Sequence, residues 1–229
     1  MALPYYVSPE QMMADKAEYA KKGIAKGRSI VAMEYADGVL LVADNPSASL
    51  HKISEMYDRI AFSGAGKYNE FEMLRKAGIR HADLKGYTYS REDVTAKSLA
   101  NAYSQSIGSL FSADPKPLEV ELLVVEVGQD GKPNELYRIS FDGSIIDERG
   151  VAVIGGKSEA LMTFLKSRWT SASISLRDAL KLSLETLDTV TNQKLGAEGL
   201  EVAVLDRTRT GRTFRRIGST EVKSLLVTP

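Results

Sequence analysis

Ser29-Ile-Val-Ala-Met-Glu-Tyr-Ala-Asp-Gly-Val-Leu-Leu-Val-Ala-Asp-Asn45 is the stretch whose reading decides the fold. Ile30 to Tyr35 and Val39 to Val42 are β-rich runs flanking Asp37-Gly38, and Asp-Gly favours a tight hairpin because both positions tolerate positive φ. Val39 to Ala43 is continuously apolar rather than alternating, which predicts a strand covered on both faces in the middle of a layered sheet.

Upstream, Ser8-Pro9-Glu10-Gln11 is a helix start, with Ser8 as N-cap, Pro9 at the first helical position and Gln11 placed for a capping box. Met13, Ala17, Ala20 and Ile24 then recur at helical spacing, and Gly23 and Gly27 offer a stop. The apolar, aromatic arm Met1 to Val7, with Tyr5 and Tyr6, is too short to fold alone and must dock or stay mobile.

Downstream, Leu50 to Ser54 and Arg59 to Ala65 read as strands. A helical pattern follows from Tyr68, interrupted near Gly78 and ended by Gly86, and Ser90 caps another helix with Leu99, Tyr103, Ile107 and Leu110 inward. Leu118 to Val127 is a strand, Leu136 to Phe141 and Ser144 to Ile146 form a second hairpin, and Val151 to Ile154 is one more strand. Two helices follow: Lys157 to Trp169, with Leu161, Phe164 and Leu165 inward, and one capped by Ser175, with Leu180, Leu184 and Leu187 inward. Leu200 to Leu205 returns to strand and Ser219 to Leu226 is a final helix. Strands and helix pairs are segregated, which predicts an α+β domain of two packed sheets with helices outside rather than a doubly wound parallel sheet.

With 229 residues and 43% hydrophobic, the chain fits one large domain. Lys plus Arg balances Asp plus Glu at 30 each, so no global field recruits nucleic acid or an anionic membrane. The absence of cysteine excludes disulfides, thiolate metal sites and a cysteine nucleophile. No apolar run approaches the ~18 residues of a spanning helix, and a soluble, cytoplasmic protein is expected.

Chemistry is sparse. Gly64-Ala65-Gly66-Lys67 and Gly155-Gly156-Lys157-Ser158 stand between strand and helix, where a phosphate loop would sit. From Gly150 five residues precede Gly156-Lys157 where the P-loop needs four, and a plain strand-to-helix turn is the better account. His51 and His81 have no paired ligand spacing, and no serine lies in a Gly-x-Ser-x-Gly elbow. No cofactor is implied.

Asp37-Gly-Val-Leu-Leu-Val-Ala-Asp44, then Lys52-Ile53 and the strand ending at Gly64, resembles the opening of a 20S proteasome subunit. Ser144 to Leu165 is similar to that family's passage from strand through glycine turn into helix, and the likeness spans nearly the whole chain. The resemblance implies a four-layer αββα sandwich of the N-terminal nucleophile hydrolase type over residues 1–229: gate arm 1–7, helix and link 8–27, sandwich 28–229.

The family has catalytic β and non-catalytic α subunits. In a β subunit an N-terminal threonine lies sixteen residues before the acid that closes the Asp-Gly-Val motif, and a lysine helps activate it. Counting sixteen back from Asp44 gives Arg28, which has no hydroxyl and stays charged at neutral pH. Ser8-Pro9-Glu10, Glu18-Tyr19-Ala20 and Ser219 to Leu226 resemble α-type segments, in a form most similar to actinobacterial α subunits.

That resemblance implies a heptameric outer ring of identical subunits capping β rings, with protein substrates in transit through an axial gate involving Tyr5, Tyr6, Ser8, Pro9 and Tyr19. It implies an activator site at Lys52, with Gly64 and Ala65 leaving room, for the C-terminal carboxylate of a ring-shaped ATPase. Three readings compete: Lys52 as an ordinary surface lysine, the chain as an N-terminal nucleophile hydrolase using Ser29 or a β-like site after processing, and a ring former unrelated to proteolysis. A C-terminal tail beyond Pro229 also stays open.

Overall fold

Residues 7–191 and 194–227 are described by the computed structural model. Tyr5 and Tyr6, expected at a gate, lie outside the described residues. The opening hairpin forms as its composition predicts, β1 (Ile30–Tyr35) pairing antiparallel with β2 (Gly38–Asp44) from Ile30 opposite Ala43 to Tyr35 opposite Gly38. Every residue of β2 is buried, because the strand lies centrally in its sheet and is packed on both faces.

The turn differs in detail from the expected Asp-Gly geometry. Its two loop residues are Ala36 and Asp37, and Gly38 already belongs to the ladder. Among the described residues Asp37 does not have positive φ; Gly38 does, at 155°, and a Cβ there would lie 1.9 Å from the Leu205 carbonyl oxygen. The glycine is required by the strand crossing beside it, not by the turn.

One sheet runs in the order β10 (Phe214–Ile217), β9 (Leu200–Asp206), β2, β1, β8 (Val151–Ile154). The other runs β3 (Ile53–Tyr57), β4 (Ile60–Gly66), β5 (Val120–Glu126), β6 (Glu135–Ile139), β7 (Ile145–Glu148), and all pairings in both sheets are antiparallel. Val39, Leu41, Ala43, Ala203 and Leu205 face Ile53, Ala61, Ala65, Leu123 and Val125 across the space between the sheets. The alternate residues Leu40, Val42, Val202 and Val204 meet α4 (Ser158–Arg168), α5 (Leu176–Thr191) and α6 (Ser219–Leu226). Phe62, Leu122 and Val124 meet α2 (Tyr68–Thr88) and α3 (Ala96–Ala113). Helix layer, sheet, sheet and helix layer give the αββα sandwich, in which each fully buried large aliphatic side chain contributes about 1.5–3 kcal/mol.

Several boundaries depart from the sequence expectation. Helix α2 runs unbroken through Gly78 and Gly86, whose missing side chains leave room for neighbours: a Cβ would meet Tyr103 Oη at 1.8 Å at the first and Tyr57 Oη at 2.1 Å at the second. Ser90 caps only a short turn, Arg91–Asp93, while α3 starts from a capping box between Thr95 and Ser98. The first of the two strands expected from Leu50 to Ala65 begins later, at Ile53. The edge strand Phe214–Ile217 was not expected at all, since two arginines in four residues mask its pattern.

Helix α1 (Pro9–Ala25) begins as read, Ser8 Oγ accepting the Gln11 amide at 3.2 Å. Gln11 does not complete the box; its side-chain amide donates to Asp15 instead. Ala20 and Ile24 are buried with Phe141, whereas Met12, Met13 and Tyr19 stay exposed.

Candidate functional site

The hairpin returns the chain to its starting point, and that return builds the site. Asp44 closes β2 with its amide donating to the Ser29 carbonyl, and its carboxylate accepts from the Arg28 guanidinium at 2.6 Å. Asp44 is buried while the Arg28 side chain is half exposed. Lys52, at the head of β3, is half-buried and donates from Nζ to the Arg28 main-chain carbonyl at 3.4 Å. Residues 28, 44 and 52, which the resemblance aligns with nucleophile, acid and lysine, therefore meet in space, the first two as an ion pair.

The carboxylate of Glu201 organises the other side of this cluster, and sequence reasoning missed it. Glu201 sits at the inward-facing register of β9, in line with Ala203 and Leu205, and bridges to the opposite sheet by accepting the main-chain amides of Lys52 (2.8 Å) and Ile53 (3.2 Å). It also accepts from Asn45 Nδ2 at 2.7 Å and pairs with Arg216, and His51 Nδ1 lies 3.3 Å away. Arg216 in turn donates to the Ile53 carbonyl at 2.7 Å. The available signal was a lone acid in the apolar run Leu200-Glu-Val-Ala-Val-Leu205, since a buried carboxylate needs donors around it.

Charge around Lys52 is unbalanced. Arg28 neutralises Asp44 and Arg216 neutralises Glu201, and among the described residues no carboxylate lies within ion-pair distance of Lys52 Nζ. Burial pushes the Lys52 ammonium below the usual lysine range, with Arg28 adding to that shift and the two carboxylates opposing it. Such a group favours an added carboxylate, which would supply the missing countercharge.

The remaining sequence candidates are placed as follows. Gly64 donates its amide to the Lys52 carbonyl at 3.1 Å, but the volume of its absent side chain is taken by the Phe71 ring, where a Cβ would lie at 2.6 Å. Ala65 faces between the sheets and is fully buried. Gly64 therefore backs Lys52 through the main chain. Pro9 opens α1 beside its cap Ser8, and the half-exposed Tyr19 lines an apolar groove with Val7, Met12 and Pro117, its ring 5.7 Å from the Lys116 ammonium. The Ser29 hydroxyl donates to the Gly156 carbonyl at 2.5 Å and so is held by a main-chain acceptor, not by a base. His81 is exposed on α2.

The two glycine turns are close-packing devices. The Gly156 amide donates to the Gly27 carbonyl and the Lys67 amide to the Glu119 carbonyl, while the Gly155 amide binds the buried Glu121 carboxylate at 2.8 Å. A phosphate at Gly155 would confront a carboxylate, which rules against a nucleotide loop there.

Among the described residues no helix is long and apolar enough to cross a membrane. The family model for the proteasome subunit matches residues 24–205. A protein named proteasome subunit alpha from Thermomonospora curvata is 53% identical over 227 residues, covering 99% of this chain and 98% of that protein. Its namesakes from Streptomyces avermitilis and Kineococcus radiotolerans are 53% and 50% identical, each over 99% of this chain and over 91% and 98% of their own lengths. With the αββα sandwich and the Arg28–Asp44–Lys52 cluster in place, the chain belongs to the proteasome subunit family and stands with the α subunits of actinobacteria.

Proposed function

We propose that this chain is a non-catalytic α subunit of a cytoplasmic 20S proteasome. Seven copies form an outer ring on the threonine-protease β rings, the arm 1–7 with the start of α1 closes the axial entry to protein substrates, and Lys52 receives the C-terminal carboxylate of a ring-shaped ATPase or other activator. One observation carries the docking role: among the described residues Lys52 is the cation of its cluster left without a carboxylate, while Asp44 and Glu201 are both neutralised by arginines. An ammonium already stripped of part of its water gains most from a charge-assisted bond to an incoming carboxylate. The absence of a hydroxyl at position 28 supports a subunit that admits substrates rather than cleaving them.

The test is Lys52→Ala in particles assembled with the β subunit. Stimulation of peptide hydrolysis by the ATPase is expected to vanish, with sevenfold rings still visible by electron microscopy and basal hydrolysis unchanged. Undiminished stimulation would remove Lys52 from the mechanism. Deleting residues 1–7 is expected to raise basal hydrolysis, and a mature N-terminus at Ser29 with hydrolysis by the isolated chain would overturn the non-catalytic assignment.

A further inference from the structure

We infer that Arg28 is a positioning residue for the activator site: by holding Asp44 in an ion pair, it prevents that carboxylate from capturing Lys52 and so keeps the ammonium open to an external carboxylate. The inference rests on the reading of Lys52 as the receptor.

Asp44 is buried at the end of β2 with the Arg28 guanidinium at 2.6 Å, and a buried carboxylate stripped of its cation recruits another. The candidate is Lys52, whose Nζ already rests on the Arg28 main-chain carbonyl and whose charge responds to Asp44. An internal carboxylate outcompetes a peptide because no association entropy is lost in forming the intramolecular pair. Without Arg28, Asp44 would become a resident competitor for the same ammonium.

Glu201, the other nearby acid, is not such a competitor. Its oxygens accept from two main-chain amides and the Asn45 amide as well as Arg216, so the fold itself occupies them. Asp44 has no comparable set: among the described residues its carboxylate hydrogen bond is to Arg28. Arg28 therefore keeps the acid and the lysine of this cluster apart, leaving Lys52 a positive charge that no carboxylate among the described residues meets.

The experiment uses assembled particles and, as probe, a synthetic peptide with the C-terminal sequence of the ATPase, as free acid and as C-terminal amide. Arg28→Ala is expected to weaken binding of the free acid by ~tenfold, a typical coupling between contacting charges, and to leave the weak binding of the amide unmoved. Arg28→Lys should retain most of the affinity. Adding Asp44→Asn to Arg28→Ala should restore it, which a role in folding alone would not produce. Unchanged affinity in Arg28→Ala, or a loss that Asp44→Asn does not rescue, would overturn the inference. If Lys52→Ala itself leaves free-acid binding intact, the receptor reading fails. If Lys52→Ala abolishes binding and Arg28→Ala does not, only the role of Arg28 falls.

Discussion

Replacing Glu201 by alanine tests whether one carboxylate ties the two sheets together at the candidate site. Four donors address it, the Lys52 and Ile53 amides, Asn45 Nδ2 and Arg216, with His51 Nδ1 lying 3.3 Å away. They do not lose equally. Arg216 and His51 are partly exposed and can turn to water, Arg216 keeps the Ile53 carbonyl, and Asn45 keeps the Leu50 carbonyl at 2.7 Å. The two main-chain amides at the head of β3 are fixed in the backbone and cannot turn away, Ile53 being fully buried and Lys52 half-buried. At about 1–3 kcal/mol for each buried donor left unmade, the loss is ~2–6 kcal/mol. For a chain of this size about 2–4 °C of Tm goes with each kcal/mol, so a drop on the order of 10 °C is expected in calorimetry or thermal shift. Activator stimulation should fall in the same variant, because the segment carrying Lys52 is no longer pinned. Glu201→Gln, which keeps one acceptor but loses the charge, should fall between the two. A Tm within about 2 °C of the parent for Glu201→Ala would refute the reasoning, since it would mean that water or another group satisfies both amides at no cost.

Gly78→Ala should destabilise despite the better helix propensity of alanine, worth ~1 kcal/mol. The new methyl would lie 1.8 Å from Tyr103 Oη, which is held by a bond to the Leu74 carbonyl, and 2.4 Å from Met56 Cε; overpacking of about 1–3 kcal/mol should win, and a raised Tm would contradict it. The pH dependence of the proposed activator binding should reflect Lys52. Its folded-state ammonium is pushed below the usual lysine value by burial, so affinity for a carboxylate holds below that lowered pKa and falls as pH rises through it, earlier than for an ordinary lysine. The stability contribution has the opposite sign: the unfolded chain binds more protons between the two pKa values, so this residue's term improves with rising pH across that window. Peptide titrations from pH 7 upward check the first statement, and the difference between parent and Lys52→Met unfolding curves over the same range checks the second.

Much of the architecture was readable because burial writes itself into composition. The unbroken apolar run Val39 to Ala43 announced a strand covered on both faces, and β8 and α6 lie where apolar runs and flanking polar residues put them. The misreadings share one cause. Gly78 and Gly86 read as helix breaks because propensity counts only the local chain, whereas their bare Cα atoms admit Tyr103 and Tyr57 from elements far away in sequence. Phe214–Ile217 was hidden because an edge strand with arginines has little pattern of its own and is defined by its pairing with β9.

By itself, the sequence determined the family, the sandwich and the absence of a hydroxyl at position 28, all of which depend on residue type and spacing along the chain. Only the tertiary structure decided what the site is made of. Glu201 and Arg216 are distant in sequence from Arg28, Asp44 and Lys52, and a carboxylate in an apolar strand does not reveal which amides it will bind. Packing the two sheets brings them together, and which cation is left without a carboxylate among the described residues is a property of that three-dimensional balance of charge, invisible to any count along the chain.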